Sequence, residues 1–232
     1  MSYLWQEFNI KTFPAETLVF RNGVFYDDLS DYQSVEFDKS KNLIKVLKTP
    51  KLPIHIIYIG EITGNIDINV DILAKNTKVF MILKTTNKKP AFLNIYIKNT
   101  GKNSLFDGQI ITQNYKDLEI NTTGHHLCEN TGIFIKTRIL AHKNTNTVLK
   151  GIAKIDKNKK LCDSNISFSV MAEESAKITI KPTQFIQSVP KNVIHNASLY
   201  KPTENQINYL NNAGLSGKEV KTVLEEAFLS EQ

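Results

Sequence analysis

The chain has 232 residues, a formal net charge of +6 and 41% hydrophobic residues. This length accommodates one domain, or one domain with a small appendage, and the composition excludes a disordered chain and a membrane protein. The longest apolar runs, 56–59 and 79–83, are far shorter than the roughly 20 residues of a spanning helix. The N-terminal residues show no signal-peptide pattern, and there are only two cysteines, Cys128 and Cys162. We therefore expect a cytoplasmic globular protein with free thiols.

The positive charge does not by itself indicate a nucleic-acid partner. Of the 29 basic residues only Arg21 and Arg138 are arginines, and the lysines are spread along the whole chain. Bidentate recognition of guanine or phosphate prefers the arginine fork. The composition favours a solvated basic surface, and we expect no nucleic-acid partner.

The first segment, 1–53, has the pattern of irregular structure with short strands. Within it, residues 18–25 place two apolar pairs around Asn22 and Gly23, which predicts a β-hairpin. Pro50 and Pro53 then interrupt the pattern, because proline restricts its own backbone and that of the preceding residue. We take residues 1–53 as an N-terminal irregular and β segment.

Residues 54–200 are dominated by a period of two, which predicts half-buried strands. Clusters of Asn, Asp, Gly, Thr and Lys separate the apolar runs and predict turns at 85–90, 99–103 and 156–160. A sandwich, a barrel and a solenoid all remain open on this pattern. The scarcity of glycine argues against a meander of tight hairpins, and the Asn, Asp and Ser side chains on the solvent face are consistent with a stacked solenoid. Periodicity alone does not decide between these architectures, and the β-sandwich remains the default. The alternating apolar sets are Ile66, Ile68, Val70 and Ile72, then Leu93, Ile95 and Ile97, then Ile166, Phe168 and Val170, and finally Ile178 and Ile180.

The last segment, 201–232, changes to a helical pattern. Thr203 with Gln206, and Ser216 with Glu219, each form the sequence signature of a capping box, and Gly214 marks a stop between them. The apolar faces of these two short helices either cover the β core or dock a partner. The apolar positions at helical spacing are Ile207 and Leu210 in the first helix, and Val220, Val223, Leu224, Ala227 and Phe228 in the second.

The only tight group of soft metal ligands is His125, His126 and Cys128. Adjacent residues of a strand point to opposite faces, so only His126 and Cys128 can share a side. A structural zinc site needs four ligands, and the sequence holds no second pair at the usual spacing. We therefore expect a structural or surface role and no metal site. His195 lies in a mostly apolar strand, where a histidine is more often a hydrogen-bonded core or interface residue than a ligand.

No nucleophile elbow, phosphate-binding glycine loop or zinc-protease motif is present. A β-helix that hydrolyses or cleaves polysaccharides would need two carboxylates that converge within a few ångströms. Asp107 and Asp156 are the carboxylates best placed near coil edges, but the sequence does not show whether any two carboxylates meet.

The C-terminal half resembles the SufB/SufD family of iron–sulfur cluster assembly scaffolds. Residues 207–216 look like the family's "LFYLRSRGIS", and 225–229 like its closing "EAF". Residues 18–25 resemble the "LVFVNG" of the SufD branch. Other matching segments are 142–151, similar to a coil ending in Leu-(Lys/Arg)-Gly, 169–186, similar to "LLLS…AE…TKPELEI", and 193–198, where the family has "CSHGAT".

The resemblance implies a right-handed parallel β-helix followed by two short C-terminal α-helices. It also implies a non-catalytic scaffold in which SufB and SufD pair through their β-helix ends and each docks the ATPase SufC through the helical region. A nascent cluster is thought to form at the SufB–SufD interface, facing a SufD histidine that corresponds to His195. The cysteine of the family motif is Val193 here, which favours the SufD branch. The N-terminal helical domain of longer members is missing.

The sequence therefore predicts a short SufD-like scaffold with a β-helix core over 54–200 and a helical region over 201–232. We expect a SufB-like subunit and a SufC-like ATPase as partners, no membrane association, and no cofactor bound stably by this chain alone, apart from a transient cluster at the interface with SufB. Exposed β-helix ends make homodimers plausible when the chain is alone, but the sequence does not decide its oligomeric state. The alternatives are a carbohydrate-active β-helix enzyme and a purely structural solenoid. The expected partner-docking residues are Leu210, Val220, Val223, Leu224 and Phe228.

Overall fold

Two mixed but mainly parallel β-sheets make up most of the molecule. The computed structural model describes residues 16–22, 24–26 and 33–230, which form fifteen strands and two helices. Sheet A has the order β15-β13-β11-β9-β7-β5-β1-β2, and sheet B the order β14-β12-β10-β8-β6-β4-β3. The strands of sheet A are β1 (Thr17–Arg21), β2 (Val24–Tyr26), β5 (Ile54–Glu61), β7 (Lys78–Asn87), β9 (Leu105–Asn114), β11 (Gly132–Ala141), β13 (Asp163–Ala172) and β15 (Asn192–Tyr200). Those of sheet B are β3 (Val35–Asp38), β4 (Leu43–Val46), β6 (Gly64–Ile72), β8 (Ala91–Asn99), β10 (Leu118–His126), β12 (Asn146–Ile155) and β14 (Lys177–Ile186).

From β4 onwards, successive strands alternate between the two sheets, and each pairs in parallel with the strand two places later. The chain therefore winds into a parallel β-solenoid of about six turns. Equivalent side chains of neighbouring central coils lie 27 residues apart in the sequence, as the hydrogen-bonded Thr85 and Thr112 show. The predicted parallel β-helix is confirmed, and the β-sandwich alternative is wrong.

Side chains alternate between the interior and the solvent along each strand, as the period of two predicts. Strand β9 shows the alternation in full, with every second residue from Phe106 to Asn114 buried. Polar side chains stack into ladders outside the core. In the turns, Asn103 donates to Asn76 at 3.0 Å and Asn130 donates to Asn103 at 2.7 Å. All three asparagines have a positive φ of 52–59°, which asparagine tolerates better than most residues, so each coil turns at the same place.

Strand β7 is longer than the sequence predicts. Thr85, Thr86 and Asn87 were expected in a turn over 85–90, but they form the end of the strand. Thr85 hydrogen-bonds Thr112 in the interior at 2.9 Å, and the fully buried Asn87 amide lies within hydrogen-bond distance of the carbonyls of Lys89, Lys116 and Asp117. The polar residues are accommodated inside because the next coil supplies their partners.

The N-terminal end of the solenoid is closed by two antiparallel pairs. The predicted hairpin is confirmed, since β1 pairs antiparallel with β2, and β3 pairs antiparallel with β4 at the edge of the other sheet. Phe25 and Phe37 pack against each other with ring centroids 4.6 Å apart, and each lies 5.2 Å from Phe20. Phe20 in turn stacks on Tyr58. This aromatic group covers the first coil.

Two helices follow the last strand, α1 (Glu204–Asn212) and α2 (Gly217–Leu229). Both predicted capping boxes are present, on Thr203 and on Ser216, and Gly214 has a φ of +90° in the turn between the helices. The helices lie against the outer side of sheet A near β11 and β13, so they flank the solenoid and do not cover its end. No helix in the described part of the chain is long and apolar enough to cross a bilayer.

Candidate functional site

The C-terminal end of the solenoid is open. Strands β14 and β15 are the last strands of their sheets, and in the described part of the chain each has a partner on one side only. Leu199 on β15 is 68% exposed, although its register partner Val170 one coil earlier is fully buried. The same inward-facing position is thus core in one coil and surface in the next.

The open end is an apolar surface made of side chains that point along the solenoid interior. The corresponding positions of the preceding coil are buried, whereas these are half-buried or exposed. A contiguous exposed apolar surface of this kind is typical of protein–protein contacts. Its inward-facing apolar members are Ile178, Ile180, Pro182 and Ile186 of β14, and Val193, Ala197 and Leu199 of β15.

The backbone of β15 presents a regular row of groups at this end that have no partner among the described residues. The amide of Asn192 donates to the carbonyl of Cys162 on the side of β13, at 3.3 Å. Backbone groups alternate in direction along a strand, so Val193, His195, Ala197 and Leu199 direct their N–H and C=O groups to the open edge. An exposed edge of this kind can accept a strand from another chain.

The open edge of β14 is interrupted. The amide of Lys177 donates to the carbonyl of Thr145 next to β12, so by the same alternation the nitrogen of Pro182 faces the open edge. Proline has no N–H to offer there, and sheet edges are where strands tolerate it. β15 is therefore the more complete edge for strand addition.

His195 lies in the middle of this open end. Its register partner is the fully buried Ile166, so the imidazole points into the end of the core. Both ring nitrogens are buried and have no hydrogen-bond partner in the described part of the chain, and burial lowers the pKa of His195. An imidazole without an internal partner, in the middle of the open end, is a candidate contact for the side chains of a partner that covers this end.

The predicted docking residues of the helical region lie in different environments. Val220 is 4% exposed, and Val220 and Leu224 line a groove against sheet A. Phe228 stacks on Tyr200 with ring centroids 5.4 Å apart. Leu210 is half-buried, whereas Val223 is 39% exposed. Val220 therefore attaches the helices to the solenoid, and the other four retain accessible surface.

Two polar contacts that the sequence did not indicate hold α2 in place. Glu173, in the turn after β13, accepts hydrogen bonds from the Lys221 ammonium and from the backbone amide of Lys143, and its carboxylate lies 3.5 Å from His142. Burial acts to raise the pKa of Glu173, but these donors outweigh it and the pKa is lowered. Arg138 donates to the carbonyl of Ser230 at 2.5 Å, at the C-terminal end of α2.

The two adjacent histidines point to opposite sides of β10, as predicted. His125 is hydrogen-bonded to the Tyr96 hydroxyl at 2.9 Å and to Asp156 at 3.0 Å. His126 points inward next to Thr131, and burial lowers its pKa to about 4, with the charge of His125 as a smaller cause. Both cysteines are free thiols. In the described residues no three of His, Cys, Asp and Glu are placed to hold a metal ion.

The carboxylates give no particular support to the polysaccharide alternative. Asp107 lies on the outer face of sheet A, where burial raises its pKa, and Asp156 is bound to His125. The two carboxylates that do share a groove, Glu173 and Glu225, both contact the Lys221 ammonium. A general acid needs a raised pKa, which a neighbouring ammonium opposes.

The sequence of the solenoid and the helices matches a known protein family. Residues 68–228 match the family model described as SUF system FeS cluster assembly, SufBD core domain. The chain belongs to the SufBD family. Members of this family are non-catalytic scaffolds for iron–sulfur cluster assembly in the SUF system. A search of curated proteins finds no match to this chain.

The family match extends from β6 to α2 and therefore includes the open end, His195 and the helices. The hairpin at 18–25, which resembles the SufD branch, lies outside the matched residues. The SufBD match thus identifies the family of the site without assigning the branch.

Proposed function

We propose that this chain is a SufD-like scaffold subunit that pairs with a SufB-like subunit through its open end and docks a SufC-like ATPase through its helical region. The observation that carries the proposal is the contrast between the two ends of the solenoid. In the described part of the chain, one end carries short antiparallel strands and packed aromatic rings, while the other exposes side chains at core positions and the long edges of β14 and β15.

The assignment to the SufD branch is supported by the chemistry of the open end. Position 193 is a valine, so the chain offers no thiolate beside His195. An iron–sulfur cluster prefers thiolate ligands, and His195 alone is an incomplete ligand set. Under this proposal the cluster is cargo at the interface, the partner supplies the thiolates, and His195 faces them.

Docking of the ATPase is supported by the helical region. Tyr209 on α1 is 74% exposed and Val223 on α2 is 39% exposed, although both helices are anchored to the solenoid elsewhere. An amphipathic helix that keeps apolar residues exposed can bind in a groove of a partner.

The proposal is tested by co-expressing the full chain with the SufB-like and SufC-like proteins of its own organism. We expect a stable three-component complex in affinity purification and size exclusion. If a well-folded chain retains neither partner, the proposal is refuted and only the family fold remains.

The role of His195 is tested in the same complex by His195→Ala. We expect the complex to form normally but to lose iron and sulfide after cluster assembly, because one face of the site has lost its imidazole. His55→Ala is the matched control, since His55 is also half-buried but lies on β5, five strands away in sheet A. Equal cluster content in the two variants would remove His195 from the mechanism.

A further inference from the structure

The groove between the helices and sheet A leaves an apolar space that no side chain of the described residues fills. It has a volume of about 290 Å³. α1 has no fully buried residue, and its inward-facing Ile207 is only half-buried beside the groove. A nine-residue helix is marginal without tertiary packing, so an unfilled apolar face beside it indicates a missing contact. The apolar lining comprises Leu140, Met171, Ala172, Pro202, Ile207, Val220 and Leu224.

The rim of the groove and the helices around it are acidic. Glu173 and Glu225 share the single ammonium of Lys221 at the rim. Residues 203–230 contain four carboxylates and two lysines, although the whole chain has a net charge of +6. The acidic region is therefore a local feature on a basic protein, and it selects a basic partner segment.

We propose that this groove receives an apolar side chain flanked by basic residues, carried on a surface segment of the SufC-like ATPase. The inference rests on the proposed function for the identity of the partner and adds the place and chemistry of its anchor. The apolar side chain fills the space between α1, α2 and sheet A, and the basic residues meet Glu225 at the rim of the groove. Binding would thus complete the packing of α1.

Gly217 provides a direct way to block the groove. It lines the groove at the first position of α2, has no positive φ, and a Cβ added there would meet no atom within 4 Å. Gly217→Phe therefore adds a ring at the lining of the groove without displacing the core, and it leaves the Ser216 side chain of the capping box in place. Lys218→Phe is the matched control, because it adds the same side chain one residue further on, outside the groove lining.

The experiment measures binding of the purified SufC-like ATPase to the full chain. We expect Gly217→Phe to weaken the ATPase Kd by about tenfold or more, as loss of an anchor contact does, and Lys218→Phe to leave it within about threefold. Glu225→Lys should also weaken binding, and the loss should increase at low ionic strength.

The outcomes separate the two proposals. If the wild-type chain binds the ATPase and Gly217→Phe binds equally well, the groove is refuted and the scaffold function stands. If the wild-type chain does not bind the ATPase, the groove and the ATPase-docking part of the proposed function are both refuted, while pairing with the SufB-like subunit is tested separately. If Gly217→Phe misfolds, the rate of alkylation of the thiol in Asn211→Cys tests the groove instead. Asn211 lines the groove, so the bound ATPase should protect the new thiol from alkylation. Protection by a second copy of this chain instead would refute the ATPase as occupant.

Discussion

Replacing Leu199 by lysine should separate pairing from folding. Leu199 points toward the open end and is 68% exposed, so the isolated chain gains little from this side chain. In a complex formed through the open end, the same leucine lies against the partner. We therefore expect Leu199→Lys to keep the unfolding midpoint of the isolated chain and to weaken its complex with the SufB-like subunit.

The size of the effect follows from the exposed fraction. Full burial of a leucine side chain stabilises by about 1.5–3 kcal/mol, so covering the exposed two thirds contributes about 1–2 kcal/mol. Burying the lysine ammonium without a partner adds a further penalty of at least about 1 kcal/mol. Together these weaken the Kd by about 30-fold or more.

Two control variants make the test specific. Val24→Lys changes a residue of similar exposure, 67%, at the closed end, and should leave the Kd unchanged. Val170→Lys changes the register partner of Leu199 inside the core and should prevent folding. Isothermal titration calorimetry measures the Kd, and urea unfolding measures stability. An unchanged Kd in Leu199→Lys would show that pairing does not use the open end.

Two further predictions concern the solenoid itself. Because the pKa of His126 is lowered to about 4 from an ordinary 6.5, the unfolded chain binds the proton more readily, and stability falls as the pH drops below about 6.5. Between pH 7 and pH 5, His126 should lower the free energy of unfolding by about 2 kcal/mol. The free energy of unfolding in urea should therefore depend less on pH for His126→Gln than for the wild type. An equal pH dependence in the two proteins would contradict the lowered pKa of His126. Gly151→Ala should destabilise the chain by about 1–3 kcal/mol, because the added Cβ would lie 2.8 Å from the Phe168 ring. Gly217→Ala is the control, because a Cβ at Gly217 meets open space; it should be neutral or slightly stabilising in the same urea assay.

The strands and helices were predictable because their signals are local. The period of two in residues 66–72 and the capping box at Ser216 depend only on neighbours in the chain, and both appear in the structure as predicted. The start of the turn predicted at 85–90 was wrong for the converse reason, whereas residues 88–90 leave the strand as predicted. Thr85 reads as a turn residue by type, but its hydroxyl is paired with Thr112 in the next coil, which no local pattern reveals.

The site was predictable only in part. His195 was selected by resemblance, and its placement at an open end depends on which coil is last in the stack. Glu173 and Lys221 are 48 residues apart, and Arg138 and Ser230 are 92 apart, so contacts between them follow from the way the helices fold back on sheet A. The pairing of His125 with Asp156, 31 residues away, likewise depends on the coil length.

The asymmetry of the two ends also explains how a solenoid scaffold can form a finite complex. A solenoid with two open ends could stack head to tail without limit, because each added copy would present a new edge. Here the edge strands of one end, β2 and β3, are only three and four residues long, with aromatic rings packed beside them, so the ten-residue β14 and the nine-residue β15 offer the longer edges for strand addition. Pro182 then restricts β14, leaving the row of backbone groups around His195 as the most complete edge. Under the proposed pairing, a partner that adds a strand there would place its own residues opposite His195.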